Sequence, residues 1–410
     1  MSDKIKVLQL AKKFPYPLRD GESIAIYNIS RSLVAEGCEV TLLTMNTSKH
    51  YVDQRTVGDN LKHYQSLESI SVDTKINIWG AFKNLFSTES YHISRFISHE
   101  FEQKLVSILS KGDFDVIQLE TLYLTPYIKT IREYSNAHIV LRSHNVEHEI
   151  WERIINNTSL VIKKWYLKYL TQKLKHYEQS QLNYYDSIIT VSDRDLSILR
   201  KLGFKKEGFT IPIGLDLESY DALQETNENN ESISLCFIGA MDWTPNKEGL
   251  EWFLNEIWPE IRSQFPNTEF HMAGRNTHEG VLNLCSSHCT HHGEVDSAKE
   301  FISRYDIMIV PLLSGSGTRV KILESLAIGT PVISTSIGCE GIGLQPGKEI
   351  LIANKKSEYI SALQQIASDH KLYDSIIENG KRFIELNYDQ NLIGKRLYEY
   401  YLGIRSYQHN

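Results

Sequence analysis

The sequence lacks several features that would assign a protein to a well-defined class at once. Its longest apolar runs, such as residues 307–313, fall far short of the roughly 18 residues that a membrane-spanning helix needs. Its five cysteines are odd in number and scattered, which is not the pattern of a disulfide framework. No secretory segment precedes the first strand pattern, so we expect a cytoplasmic protein. The mildly acidic net charge of −7 argues against a nucleic-acid partner.

What the sequence does have is an alternation of strand and helix patterns along its length. Residues 5–11 have the composition of a buried strand, and residues 23–36 have the apolar spacing of an amphipathic helix. The same alternation recurs through the rest of the chain, with further strands predicted at residues 40–44, 116–119, 139–141, 187–191, 235–238, 270–273, 307–311, 331–334 and 350–352. It predicts an α/β fold with parallel, doubly wound sheets, in which ligands bind at the carboxyl ends of the strands.

The alternation is interrupted once, which indicates two domains. It stops near Pro212, and the polar stretch 224–231 has no apolar anchor before the pattern restarts. A chain of 410 residues is long enough for two domains of similar size. We therefore predict Rossmann-like domains over residues 1–215 and 233–388, a linker at residues 216–232 and a helix over residues 389–410.

The most informative segment, residues 314–324, follows a predicted strand and opens a predicted helix. Small residues at a helix N-terminus let backbone N–H groups approach an anion, and the helix dipole favours negative charge there. Two basic side chains add formal positive charge beside them. These candidate phosphate-binding residues are Ser316, Gly317, Thr318, Arg319 and Lys321.

Glu324 lies further into the same predicted helix. A carboxylate there can accept hydrogen bonds from two adjacent hydroxyls, such as those of a ribose. The segment therefore predicts a site for a nucleotide diphosphate. The alternative is an ordinary loop followed by an exposed basic helix start.

The same segment resembles the donor-site signature of family 4 glycosyltransferases, which have the GT-B fold. That family shows two glutamates eight positions apart, of which the second binds the nucleotide ribose. Glu324 matches the second glutamate, whereas Ser316 stands where the first would fall. The Gly-x-Gly-Thr-Arg-x-Lys sequence that follows Ser314 resembles one branch of the family.

The resemblance implies an activity and an architecture. The two domains would face each other across a cleft, with the first binding the acceptor, the second binding the nucleotide sugar, and the C-terminal helix crossing back onto the first. The enzyme would move a sugar from a nucleotide-diphosphate sugar to a hydroxyl of a glycan, a lipid-linked acceptor or a small molecule. Transfer would proceed with retention of configuration and would need no metal or other cofactor. Cell-surface polysaccharide or lipopolysaccharide synthesis is the pathway that the analogy favours.

Further site residues are carried over from the family by position. His144 resembles the family histidine that faces the donor sugar, and Arg275 could supply a guanidinium for the diphosphate. Both are expected catalytic residues, together with Arg319 and Lys321. The remaining candidates are Gly293 and Val295 near the nucleotide base, and Gly21, Asn145 and Glu147 for the acceptor or a phosphate.

Alternatives to this function remain open. Nucleotide-sugar epimerases share the fold, and the Ser316 replacement leaves room for a sugar-binding homologue with impaired catalysis. A dinucleotide-dependent oxidoreductase is excluded, because no Gly-x-Gly-x-x-Gly follows the first strand of either domain.

Three other patterns in the sequence bear on function. Two Asp-x-Asp sequences, at residues 113–115 and 193–195, and a Cys/His cluster at residues 285–292 are not expected to bind a metal. The stretch 161–184 is basic and aromatic. We expect a surface helix with its aromatic side chains packed inward, and the alternative is a helix that contacts an anionic membrane surface.

Overall fold

The strands and helices form two separate units. The computed structural model describes residues 4–18, 20–75, 90–156, 158, 160–221, 223, 233–285, 287–315 and 317–408. One unit comprises Met1–Gly214 with Gln390–Asn410, and the other comprises Leu215–Asp389. The polar stretch 224–231, predicted as part of the linker, lies outside the described residues.

The first unit is built on a parallel sheet. In its described part the strands are β1 (Lys6–Ala11), β2 (Glu39–Thr47), β3 (Ser66–Val72), β4 (Val116–Leu119), β5 (His138–Ser143), β6 (Ser187–Thr190) and β7 (Glu207–Thr210). They lie in the order β3-β2-β1-β4-β5-β6-β7. The order reverses direction between β1 and β4, which is where ligands bind in sheets of this kind.

Helices follow most of these strands. They are α1 (Gly21–Ala35), α2 (Tyr91–Ser94), α3 (His99–Leu109), α4 (Ile128–Tyr134), α5 (Glu147–Asn156), α6 (Val161–Gln181) and α7 (Asp193–Lys201). The Asp20 side chain caps α1 by accepting a hydrogen bond from the Ser23 N–H at 3.0 Å. Gly37 follows the end of that helix with a φ of 98°, a left-handed conformation that glycine adopts without strain.

The second unit has its own parallel sheet. Its described strands are β8 (Ser234–Ile238), β9 (Glu269–Ala273), β10 (Cys289–His291), β11 (Ile307–Val310), β12 (Val332–Ser334) and β13 (Leu351–Ile352). They lie in the order β10-β9-β8-β11-β12-β13. The prediction of two parallel, doubly wound sheets is therefore confirmed. The reversal of order lies between β8 and β11.

The helices of the second unit cover that sheet. They are α8 (Glu218–Asp221), α9 (Thr244–Trp252), α10 (Trp258–Gln264), α11 (Glu279–Leu282), α12 (Ala298–Ile302), α13 (Val320–Ile328), α14 (Lys356–Ser368) and α15 (His370–Tyr388). The core between sheet and helices includes the fully buried Phe253, Trp258 and Phe270. Aromatic side chains of this size contribute much of the apolar area that folding buries.

The last helix, α16 (Gln390–Gln408), belongs to the first unit, where it packs against α1. A Cβ atom on Gly394 would lie 2.3 Å from the Cβ of Ser32, so the two helices touch at their backbones. Further along α16, the buried Tyr401 donates a hydrogen bond to the side-chain oxygen of Gln118 in β4. None of the described helices is long and apolar enough to cross a membrane.

Candidate functional site

The predicted donor loop joins β11 to α13. Gly315 and Gly317 have φ values of 108° and 79°, so the loop uses left-handed backbone that favours glycine on both sides of residue 316. Ser316 itself lies outside the described residues. Arg319 is buried just before the helix, and its guanidinium donates to the carbonyl of Gly317. This bond holds the guanidinium of Arg319 against the loop at the N-terminus of α13.

Lys321 connects this loop to the end of β8. Its ammonium donates to the Ile238 carbonyl at 2.5 Å and to the side-chain oxygen of Asn246 at 3.0 Å. It also lies 4.6 Å from the centre of the Phe237 ring. The residue is half-buried, and the enclosure of its ammonium, with Arg319 nearby, lowers its pKa to about 7.

The carboxylate of Glu324 has an unforeseen neighbour. The hydroxyl of Tyr220, from the short helix α8, donates to its Oε1 at 3.3 Å. Burial raises the pKa of Glu324 to about 7, although Tyr220, Lys299 and Lys321 all act against that rise. Tyr220 falls in the stretch predicted as a linker, and no local pattern links it to a helix a hundred residues later.

Three glycines bring the loops after β8, β9 and β10 close together. The Gly239 N–H donates to Ala273, and the Gly274 N–H donates to Gly293 at 2.8 Å. A Cβ atom on Gly274 would lie 1.9 Å from the Gly239 carbonyl oxygen. A Cβ atom on Gly239 would lie 2.8 Å from the Lys321 ammonium. The glycines therefore let these loops pack backbone against backbone, and let Lys321 lie against them, beside the donor loop.

Two other donor candidates lie on the neighbouring loops. Arg275 follows Gly274, and its Nε is 3.8 Å from a carboxylate oxygen of Asp242. Asp242 therefore offsets part of the positive charge that we expected Arg275 to supply. Val295 is half-buried and follows Gly293, whose carbonyl is already bonded to the Gly274 N–H.

In the first unit, His144 follows β5 and joins a buried polar network. Its Nε2 lies 2.9 Å from Oε2 of Glu120, which follows β4 directly. Arg142 approaches the same oxygen at 3.4 Å and also donates to the Ala25 carbonyl. Gln9 and Gln118 donate to the other carboxylate oxygen. Glu120 is fully buried and is a residue that we did not predict.

The charge of Glu120 fixes the tautomer of His144. Burial opposes ionisation of the carboxyl, but Arg142 and His144 outweigh it and lower the pKa of Glu120. An ionised carboxylate only accepts hydrogen bonds, so the His144 Nε2 carries a hydrogen. The buried Nδ1 has no hydrogen-bond partner among the residues that the structure describes. Glu120 thus fixes the orientation of the ring, whose Nδ1 is enclosed by the protein.

The acceptor candidates lie around the loops after β1 and β5. Gly21 is the first residue of α1. Glu147 is buried at the start of α5 and accepts from the Tyr123 hydroxyl at 3.0 Å. Burial raises the pKa of Glu147 to about 7, with Lys12 acting against the rise. Asn145 is half-buried, and its backbone carbonyl accepts from the Ser143 hydroxyl.

A second group of charges lies beside Glu147. The Lys12 ammonium is 3.4 Å from Glu22 and 4.4 Å from the centre of the Tyr123 ring. Lys13 pairs with Asp20 at 2.5 Å. Two lysines and three carboxylates thus follow the carboxyl ends of β1 and β5, and polar groups of this kind suit a polyhydroxylated ligand.

The patterns discounted as metal sites have structural explanations. Asp115 accepts from the Lys6 N–H at the start of β1, and Asp193 is the first residue of α7, which Ser192 caps. Cys285 and Cys289 form a disulfide, so the scattered cysteines contain one pair that we did not predict. In the described part of the chain, no three potential ligand side chains converge on a point where a metal could bind.

The expectation for α6 is wrong in one respect. Trp165 is 67% exposed, whereas we predicted that the aromatic side chains would pack inward. The inward face of the helix is instead formed by Leu170, Thr171, Leu174 and Glu178, which are buried.

Comparison with known proteins agrees with this architecture. Residues 20–219 match a family described as Glycosyltransferase Family 4, and residues 232–369 match one described as Glycosyl transferases group 1. An uncharacterized 44.6 kDa protein in the cps region of Klebsiella pneumoniae is 21% identical, over 96% of this chain and 99% of its own.

Solved structures show the same fold at low sequence identity. Sucrose-phosphate synthase from Thermosynechococcus elongatus matches with a TM-score of 0.72 and 15% identity, over 98% of this chain and all of the other. HepE from Anabaena, in complex with UDP and glucose, matches with a TM-score of 0.66 and 12% identity, over 96% and 98% of the two chains. The chain belongs to the family 4 and group 1 glycosyltransferases, and its two doubly wound sheets are those of the GT-B fold.

Proposed function

We propose that the protein transfers a sugar from a nucleotide-diphosphate sugar to a hydroxyl of an acceptor, with retention of configuration. The observation that carries this proposal is the arrangement of Arg319, Lys321 and Glu324 around the start of α13, at the carboxyl end of β11. Two cations and a helix N-terminus suit a diphosphate, and the carboxylate suits a ribose. The two cations come first along the chain and the carboxylate follows, just as the diphosphate and the ribose are adjacent parts of a nucleotide sugar.

Each donor-site residue then has a distinct role. The N-terminus of α13 and the guanidinium of Arg319 bind the diphosphate. Arg275 adds positive charge to this site, although Asp242 offsets part of it. Glu324 accepts hydrogen bonds from the ribose hydroxyls, which replace the bond that the Tyr220 hydroxyl donates to it in the structure. Lys321 becomes fully protonated when a diphosphate approaches, because an anion raises the pKa of a neighbouring ammonium.

The catalytic step needs positioning and charge stabilisation. Departure of the diphosphate develops negative charge, which these cations and backbone N–H groups stabilise without a metal ion. We propose that the leaving diphosphate takes the proton of the acceptor hydroxyl on the same face of the sugar. We assign to His144 the contact with the transferred sugar that the family resemblance implies, and Glu120 holds the ring in place.

The acceptor is assigned to the first unit. Glu147, Asn145 and the loop that ends at Gly21 present hydrogen-bonding groups next to the charges of Lys12 and Glu22. Such a set fits a glycan, a lipid-linked sugar or a small polyol. The Klebsiella relative is named for a cps region, which supports a role in cell-surface polysaccharide synthesis. We assign the protein to the cytoplasm, where nucleotide sugars are made.

A panel of UDP-, GDP- and ADP-sugars tests this function. Thermal shift measures binding, and nucleotide release measures turnover; UDP-glucose is the first donor to test, because HepE was solved with UDP-glucose. Glu324→Gln should weaken nucleotide binding about tenfold, since a hydrogen bond to a charged group contributes about 1.5–3 kcal/mol. Glu385→Gln, an exposed change on α15, is the matched control.

A second variant separates binding from catalysis. His144→Ala should lower kcat while leaving nucleotide affinity within about twofold, because the histidine belongs to the other unit. His176→Ala, on the exposed side of α6, should change neither quantity. If no nucleotide sugar stabilises the protein, the proposed function is wrong. Interconversion of the sugar without transfer would instead identify an epimerase.

A further inference from the structure

The N-terminal half of α6 exposes a concentration of apolar surface. Leu160, Val161, Ile162 and Trp165 are 68%, 79%, 86% and 67% exposed. Elsewhere in the described chain, large exposed apolar residues occur singly, which is ordinary for a protein surface. Four within six residues are not ordinary. We call these four residues the α6 patch.

Leu160 precedes the helix, and the other three residues of the α6 patch form one continuous face with Tyr169. At about 100° per residue, Val161, Trp165, Tyr169 and Ile162 lie within an arc of roughly 100°. Leu170 and Leu174, on the opposite side, are the residues that α6 buries in its own unit. The helix is therefore apolar on two faces. Only the inner face is covered by the described protein.

Positive charge borders the α6 patch. Residues 160–177 contain five lysines and no aspartate or glutamate. Lys164 and Lys168 border one side of the apolar arc, and Lys173 borders the other, at the same spacing per residue. Lys163, Lys164 and Lys168 are exposed. A protein partner with an ordinary mixed surface would not require this one-sided charge.

Aromatic side chains complete the surface. The rings of Trp165 and Tyr169 stack with their centroids 6.3 Å apart, and the Lys173 ammonium lies 4.7 Å from the centre of the Tyr169 ring. Trp and Tyr are the residues that concentrate at the boundary between lipid headgroups and acyl chains. Leucine, valine and isoleucine beyond them suit the acyl region, while lysines suit anionic headgroups.

We propose that the α6 patch docks the protein on the surface of an anionic lipid bilayer. Val161, Ile162 and Trp165 enter the interface, and Lys164 and Lys168 contact the headgroups. The charge complementarity and the stacked Trp–Tyr pair select this occupant over a second copy of the chain. The inference goes beyond the proposed activity and does not depend on it.

Vesicle co-sedimentation of the full chain tests the docking. The vesicles contain phosphatidylcholine alone or with about one-third phosphatidylglycerol, at about 0.1 M and 0.5 M salt. We expect binding to the anionic vesicles at low salt, and at least about tenfold weaker binding at high salt or without phosphatidylglycerol. Failure to bind anionic vesicles at low salt would overturn the proposal, whatever the enzyme assays show.

Paired variants locate the surface. Ile162→Ser with Trp165→Ser should weaken binding by at least about tenfold, because two interfacial side chains no longer enter the lipid. The matched control is Leu386→Ser, a 60% exposed leucine on α15, which should leave binding unchanged. Circular dichroism and the thermal midpoint should be unchanged in both, since exposed substitutions rarely alter stability.

The charge contribution is tested in the same way. Lys164→Gln with Lys168→Gln should weaken binding about 25-fold, at about fivefold for each lysine near an anionic surface. Lys355→Gln with Lys356→Gln removes the same charge from the second unit and should have little effect. Equal losses in the two pairs would show attraction by total charge and overturn the assignment to α6.

Light scattering after size exclusion tests the competing occupant. A dimer that Ile162→Ser with Trp165→Ser dissociates would show that a second copy covers the α6 patch, and would overturn the lipid assignment. A monomer that binds anionic vesicles through α6 supports it. Quenching of the Trp165 fluorescence by nitroxide-labelled lipid, measured against Trp165→Phe, should place this side chain in the interface.

Discussion

The half-buried ammonium of Lys321 gives the sharpest test of the donor site. It bonds to the Ile238 carbonyl and to Asn246, and its pKa is lowered from 10.5 to about 7. Lys321→Met keeps the unbranched apolar stem and removes the charge. We expect this variant to lose most of its nucleotide affinity and to change how stability depends on pH.

The sign and size of this change in the pH dependence of stability follow from the pKa of Lys321. Between pH 7 and pH 10.5 the unfolded chain keeps the proton of Lys321 and the folded chain releases it, so wild-type stability rises with pH in this window. The maximum slope is about 1.4 kcal/mol per pH unit. From pH 7 to pH 9 the free energy of unfolding of the wild type should therefore rise by about 1–2 kcal/mol relative to Lys321→Met, the lower value allowing for partial exposure.

Urea unfolding at pH 7 and pH 9, followed by tryptophan fluorescence and circular dichroism, measures this difference. Lys356→Met is the control, because that lysine lies in the same unit on the half-exposed surface of α14. Its stability should follow the wild type at both pH values. If Lys321→Met also changes in parallel with the wild type, the ammonium is not buried as described, and the reasoning is refuted.

Three other substitutions test separate parts of the structure. The affinity advantage of the wild type over Glu324→Gln, measured by calorimetry with UDP, should be about tenfold at pH 8 and should shrink below pH 7, because protonation removes the carboxylate charge. Glu120→Gln leaves the neighbouring arginine buried without its counter-charge, so it should cost about 3 kcal/mol in urea unfolding and lower kcat more than nucleotide affinity. Gly394→Val should cost about 1–3 kcal/mol and make α16 sensitive to protease, because its Cβ would overlap Ser32. Gly403→Val, where a Cβ would meet nothing within 4 Å, should leave the protease pattern unchanged.

The sheets could be predicted because parallel strands buried on both faces leave a clear apolar signal. β4, β6 and β11 are fully buried and were all located from sequence. β3 and β7 were not located. These edge strands are half-buried for most of their length, so their sequences contain polar residues and lack the continuous apolar run.

The donor loop could be predicted because its parts are contiguous in sequence. Phosphate-binding backbone, cations and carboxylate all lie within residues 314–324. Residues that complete the site from a distance could not be predicted in this way. Tyr220 reaches Glu324 across 104 positions, and Gly239 is restricted by a lysine 82 positions later. One sequence does not record such long-range contacts.

Glu120 is a residue that could have been predicted from the rule that ligands bind at the carboxyl ends of parallel strands. It follows β4 directly, at the carboxyl edge where ligands bind, and a glutamate after a buried strand is costly without partners. Besides Gln118 of β4 itself, its partners come from β1, from β5 and from the loop after β5, so their identity depends on the strand order β1-β4-β5. The rule could therefore have identified Glu120 as a candidate, but only the strand order shows that it holds Arg142 and His144.

Carboxylates at the two edges of the sheets have different partners, which separates architecture from function. At the amino edge, Asp115, Asp186 and Asp306 each accept a hydrogen bond from a backbone N–H of a neighbouring strand, at 2.7–2.8 Å. These bonds join the ends of neighbouring strands, so their role is complete within the fold. At the carboxyl edge, Arg142 and His144 lower the pKa of Glu120, whereas burial raises the pKa of Glu147 and Glu324 to about 7. A carboxylate whose pKa is raised by burial is stabilised by the hydrogen-bond donors that a ligand would bring. The carboxyl edge therefore indicates where substrates bind, whereas the net charge of the chain does not.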